Sequence, residues 1–85
     1  MSYSVRVTST FERDLKKLGS PEKDRIWKLL EEIQKSPYSY KPLGGHLTGI
    51  RSARVGNLRV LYSVEENPSR IILLHVGHRE SVYER

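Results

Sequence analysis

Residues 50–76 crowd three runs of strand-forming residues into a length that leaves room for little else. The runs cover 50–55, 58–65 and 70–76, joined by Gly56-Asn57 and by Glu66-Asn67-Pro68-Ser69. Both joints carry turn chemistry, the first that of a two-residue hairpin. Segments this close can only return antiparallel, because a parallel return needs a crossover of a dozen or more residues. The C-terminal half is therefore expected to be a three-stranded meander.

The hairpin also fixes a register. Counting outward from Gly56-Asn57 sets Val55 opposite Leu58, Arg54 opposite Arg59, Ala53 opposite Val60 and Ser52 opposite Leu61. Side chains alternate faces along a strand, so Ala53, Val60 and Tyr62 share one face while Arg54 and Arg59 share the other. Arg51 falls on the Ala53 side near the end of the sheet, where its stem can snorkel outward. Like charges facing across a ladder cost roughly 0.2–1 kcal/mol. A chain of 85 residues without cysteine must fold on its apolar core alone and has little stability to spare. The opposed arginines therefore call for a functional explanation.

The N-terminal half supplies the second layer. Tyr3, Val5 and Val7 alternate with Ser4, Arg6 and Thr8, the period of a strand with one buried face. Ser9 and Glu12 have the spacing of a capping box, and Phe11, Leu15 and Leu18 follow on one helical face. Gly19 stops that helix. Ser20-Pro21 starts another as N-cap and first helical position, Ile26, Leu29, Leu30 and Ile33 form its apolar stripe, and Ser36-Pro37 closes it. Trp27 sits beside the stripe, as a boundary residue or part of a partner groove. Residues 36–45 read as a loop whose tyrosines either pack onto the body or stack on bases. The expected fold is one α+β domain over residues 1–85: two layers in the order β-α-α-β-β-β, with a helical hairpin on one face of a mostly antiparallel four-stranded sheet.

The net charge of +5 becomes informative once located. Residues 9–34 carry six basic and six acidic residues, whereas between Ile33 and Val64 there is no acid and Lys35, Lys41, Arg51, Arg54 and Arg59 contribute all five positive charges. An acid-free basic stretch points to a polyanion such as nucleic acid, with a solubilising surface as the plain alternative. On the first reading Lys35, Lys41 and Arg51 are the RNA-binding candidates around the arginine pair. No apolar run is long enough for a membrane span or a signal peptide, and the absence of cysteine fits a reducing, cytoplasmic setting.

The last stretch, HVGHRESVYER, brings His75, His78, Arg79, Tyr83 and Arg85 close together. A meander returns its last strand beside the one bearing Arg59, so Arg79 can converge on Arg59, and Tyr83 with it if the tail folds back. Several guanidiniums around one point suit a phosphate better than a carboxylate. His75 alternates with Leu73 and Ile71 and reads as a half-buried residue. His75 and His78 lack the geometry and the carboxylate of a metal site, so neither metal nor cofactor is expected.

The element order, the motif Arg54-Val-Gly-Asn-Leu-Arg59-Val-Leu-Tyr62 and the closing Gly77-His-Arg79 with Val82-Tyr83 together resemble the RelE/ParE superfamily of toxins from toxin–antitoxin operons, over nearly the full chain. The resemblance implies a ribosome-dependent endoribonuclease that cuts messenger RNA without a metal, leaving a 2′,3′-cyclic phosphate and inhibiting translation. It assigns Arg54, Arg59 and Arg79 to charge stabilisation and Tyr83 to proton transfer or base stacking. Ser52 stands where some ribosome-dependent members carry another lysine. The partners it implies are the ribosome, messenger RNA and a cognate antitoxin, acidic and partly disordered when free, with a toxin–antitoxin heterotetramer as the candidate assembly. A ParE-like DNA gyrase inhibitor and a noncatalytic RNA- or ribosome-binding module are the competing functions.

Overall fold

The computed structural model describes residues 3–78. Strand β1 (Ser4–Val7) leads into helices α1 (Ser9–Lys16) and α2 (Ser20–Lys35), followed by β2 (Lys41–Pro42), β3 (Arg51–Val55), β4 (Leu58–Glu65) and β5 (Arg70–His78). The sheet order is β1-β5-β4-β3-β2, antiparallel except where β1 runs parallel to β5. The meander, the helical hairpin and the return of the first strand to the sheet are all as expected. Among the described residues the sheet has five strands rather than four. The extra one pairs Lys41 with Ser52 and Pro42 with Arg51, and two residues are too few for any alternation to be read.

The core lies between the layers. Phe11, Ile26, Leu29, Leu30 and Ile33 from the helices, with Leu18 beyond α1, meet Ala53, Leu58, Val60, Tyr62, Ile71, Leu73 and Val76 from the sheet. The apolar spacing of α2 and the even-numbered face of β4 account for most of this list. Gly56 turns the β3–β4 hairpin with φ +58°, and Asn67 turns the next with φ 62°, backbone regions that glycine and asparagine tolerate best.

Both helix starts lie one residue earlier than the capping spacing suggests. Thr8 is the N-cap of α1, its hydroxyl oxygen accepting the Phe11 N–H at 3.2 Å. Gly19 is the N-cap of α2, its N–H donating to the Glu22 carboxylate at 2.8 Å. Thr8 has a reason to take this place. β1 stops at Val7, opposite Leu73, while β5 runs on to His78. The beginning of α1 serves the edge of β5 from there: the Thr8 N–H and hydroxyl both donate to the Leu73 carbonyl, at 3.2 and 2.8 Å, and the Asp14 carboxylate accepts the Val76 N–H at 3.3 Å. Buried sheet-edge amides must find partners somewhere, and a helix side chain provides one here.

β1 itself is more open than its alternation implies. Val5 and Val7 are 37% and 41% exposed, because an edge strand has a neighbour on one side only, whereas Tyr3 does pack against the core. Trp27 is half exposed on α2, a boundary position.

The loop tyrosines pack onto the body. Tyr40 meets Tyr62 edge to face with ring centroids 6.5 Å apart, and the Tyr62 hydroxyl donates to the Pro37 carbonyl at 2.6 Å. Tyr38 and Tyr3 also meet edge to face, and both hydroxyls donate to Glu66 Oε2, at 2.5 and 2.7 Å.

Candidate nucleic-acid interface

The β3–β4 ladder has the register read from the sequence: Arg54 pairs with Arg59, Ala53 with Val60, Ser52 with Leu61. Ala53 and Val60 are buried in the core, so Arg54 and Arg59 belong to the face turned away from the helices. The two arginines are not equivalent. Arg54 is exposed, whereas Arg59, on the central strand, retains only 8% of its exposure. A guanidinium this enclosed is held in place, and its attraction for an anion is less screened than that of a freely solvated side chain.

A bulge completes the row. Tyr62 pairs with Leu73 but Leu61 pairs with His75, leaving Leu74 as an extra residue in β5. Beyond it Val76 faces Val60 in the core, Gly77 faces Arg59 and His78 faces Leu58. The arginine row therefore reads Arg54, Arg59, Gly77 across three strands, and its third position carries no side chain. The next row reads Lys41, Ser52, Leu61, His75. His75 thus departs from the face of Ile71 and Leu73 to which simple alternation assigns it, since an extra residue reverses which side every later residue takes.

The same register separates the two histidines. His75 shares the arginine face, while His78 shares the face of Leu58 and approaches α2, its Nε2 lying 3.6 Å from the Glu22 carboxylate. Among the described residues no group of three His, Cys, Asp or Glu side chains converges as metal ligands, and no helix is long and apolar enough to cross a membrane.

Of the surrounding cations, Lys41 lies on the arginine face at the β2 edge. Lys35 ends α2 in the helix layer, 3.5 Å from Glu32. Arg51 is occupied with the loop: its guanidinium donates to the carbonyls of Tyr38 and Tyr40 at 3.1 and 2.8 Å and lies 5.0 Å from the Tyr38 ring centre. Arg79 and Tyr83 lie outside the described residues.

Gly77, named in the sequence only as part of the closing motif, acquires its place in the row through the bulge, and Asp14 was not singled out at all. Asp14 carries a readable sign, because Phe11, Asp14 and Leu18 fall at i, i+3 and i+7, putting a carboxylate on the apolar face of α1. It is 4% exposed, accepts the Val76 N–H and lies 3.5 Å from His75 Nδ1.

Residues 5–83 match the sequence model of the family described as the ParE toxin of the type II toxin–antitoxin system, parDE. The chain is 36% identical to toxin RelG of Mycobacterium tuberculosis over 91 aligned positions that cover both proteins completely. It is 33% identical to toxin RelE of the same organism, covering 95% of this chain and 86% of that one. The crystal structure of the toxin–antitoxin complex RelBE2 from Mycobacterium tuberculosis contains a chain that superposes with a TM-score of 0.86 at 33% identity, covering 93% of this chain and all of that one. A mostly antiparallel sheet with a helical hairpin on one face and paired arginines on the other, matched from end to end by such relatives, makes this chain a member of the RelE/ParE superfamily, a RelE-like toxin of a type II toxin–antitoxin system.

Proposed function

We propose that the chain is a ribosome-dependent endoribonuclease that cleaves messenger RNA in the cytoplasm by attack of a ribose 2′-hydroxyl on the adjacent phosphate. The single observation that carries this reading is the Arg54–Arg59–Gly77 row, two guanidiniums paired across the sheet face turned away from the helices, with a glycine third in line. Cleavage of this kind concentrates negative charge on a pentavalent phosphate, and fixed cations are what such a transition state requires. Arg54 and Arg59 stabilise that charge. By the family resemblance, Arg79 supplies a third cation and Tyr83 a proton-transfer group. Lys41 extends the cationic face along the RNA backbone, while Lys35 and Arg51 stand apart from the row.

A cognate antitoxin, acidic enough to complement the basic face, keeps the toxin silent in a complex, a heterotetramer in the simplest arrangement. The relative in the RelBE2 structure is itself held in a toxin–antitoxin complex, which supports such a partner.

The ParE description of the matching family favours one other reading, inhibition of DNA gyrase. Pulse labelling after expression without antitoxin separates the two. The ribonuclease reading expects protein synthesis to stop first, with messenger RNA cut. Early collapse of DNA synthesis with gyrase-linked breaks and intact messenger RNA establishes the other.

A further inference from the structure

A phenol, with a reference pKa of about 10, holds its proton at neutral pH and serves better as a general acid than as a base. If Tyr83 protonates the leaving oxygen, the proposed reaction still needs a group to take the proton of the attacking 2′-hydroxyl. We propose that His75 is that base and that Asp14 is the positioning residue behind it; the proposal rests on the ribonuclease reading and adds a residue to it.

Three observations carry it. The bulge puts His75 on the arginine face, two residues along β5 from Gly77, which stands opposite Arg59. Successive residues on one face of a strand are about 7 Å apart, and the position opposite Arg59 carries no side chain of its own. The imidazole also abuts a carboxylate. Its Nδ1 is buried without a hydrogen bond, 3.5 Å from the carboxylate of Asp14, while the side chain as a whole keeps 29% of its exposure. A carboxylate beside Nδ1 favours the tautomer protonated there, which gives Nε2 the lone pair that accepts a proton. Finally, Asp14 cannot swing away freely: it is 4% exposed and accepts the Val76 N–H, on the residue next to His75. A carboxylate that orients an imidazole also stabilises the imidazolium that forms.

The step balances without a co-reactant. Nε2 takes the 2′-hydroxyl proton as the 2′-oxygen bonds to phosphorus and the bond from phosphorus to the 5′-oxygen breaks. The 5′-oxygen leaves with the phenolic proton of Tyr83. The products are a 2′,3′-cyclic phosphate and a 5′-hydroxyl, and exchange with water returns one proton to the phenolate and removes one from the imidazolium.

The test uses the whole toxin, purified after release from its antitoxin, in single-turnover cleavage on programmed ribosomes. His75→Ala is expected to slow cleavage by about 10²-fold, and added imidazole is expected to restore at least tenfold of it. A wild-type rate, or a loss that imidazole leaves untouched, overturns the proposal. Should His75→Ala melt at a much lower temperature, His75→Gln replaces it, and a wild-type rate for that variant again overturns the proposal. ¹⁵N spectra of the imidazole in the free toxin are expected to show the Nδ1–H tautomer, with the bias lost in Asp14→Asn, which still offers Val76 an acceptor. An Nε2–H tautomer in the wild type overturns the role of Asp14. Absence of cleavage by the wild type itself overturns the ribonuclease reading, and this proposal with it.

Discussion

Arg54 and Arg59 face each other across the β3–β4 ladder, one exposed to solvent and the other almost enclosed. Their equal charge and unequal burial separate the effects of removing them. Arg54→Ala relieves the opposition and should raise stability by a few tenths of a kcal/mol. Arg59→Ala relieves the same opposition but also removes the packed stem of a buried side chain, so its stability should be unchanged or lower. Each should lose about 10²–10³ in cleavage rate, as for a missing transition-state donor. Thermal melts and single-turnover assays on the same samples check both halves, and clear destabilisation with full activity would make the pair structural.

At the far end of the sheet, Glu66 accepts the hydroxyls of Tyr3 and Tyr38 on one oxygen and that of Ser69 on the other, at 2.9 Å. These bonds, Tyr38's first, hold the Glu66 carboxyl below its ordinary 4.5. A carboxyl lowered by folding stabilises the protein above its unfolded pKa, and that contribution disappears as pH falls through the folded value. The bond to Glu66 likewise pushes the Tyr3 phenol up to about 12, so its contribution is complete below about 10 and fades as pH rises towards 12. Glu66→Gln should therefore lower the melting temperature modestly at neutral pH and meet the wild-type curve in acid, flattening the acid limb below about 4.5. An acid limb identical to that of the wild type would count against this.

Tyr62 ties the loop to the core through its hydroxyl, and burial pushes that phenol up to about 12. Tyr62→Phe leaves the Pro37 carbonyl without this donor, at a cost of about 1 kcal/mol. For a domain of this size that corresponds to a fall of about 4–8 °C in melting temperature.

Arg51→Lys retains the charge but cannot reproduce a planar group that lies against the Tyr38 ring and bonds two carbonyls. Protease nicking within residues 36–42 should quicken while cleavage of messenger RNA stays near the wild-type rate, because Arg51 stands apart from the arginine row. Proteolysis followed by mass spectrometry and the cleavage assay provide the two readouts.

Tyr83→Phe should slow single-turnover cleavage strongly, since it removes the proton and keeps the ring, and Tyr83→Ala should do little worse. A Phe variant at the wild-type rate would leave stacking as the only role for the ring.

The legible parts of this fold were those governed by local periodicity and turn chemistry. The Gly56-Asn57 joint fixed the Arg54–Arg59 pairing because a two-residue turn permits one register, and the α2 stripe named its own buried residues. Pairing across the whole chain was not legible in the same way. The bulge at Leu74 depends on how β5 meets β4, and it moved His75 to the face opposite the one its alternation suggests. The replacement of Ser9 by Thr8 as the cap follows from where β1 releases its neighbour, a fact about two strands 65 residues apart in the case of Thr8 and Leu73. Asp14 could have been suspected from its place in an apolar stripe, but only the docked helix shows what it reaches.

The parallel pairing of β1 with β5 has a bearing on how the protein is made. A ribosome delivers the amino end first, so Ser4–Val7 emerges long before residues 70–73 exist to receive it. Until then the arginine hairpin has β3 beside β4 but nothing on the other flank, and Arg59 lacks the strand that lies against it in the finished sheet. The entropy of closing so long a loop is offset only when the final strand arrives. On the proposed reading, the face that engages the ribosome is therefore complete only once β5 has been made and has paired with β4.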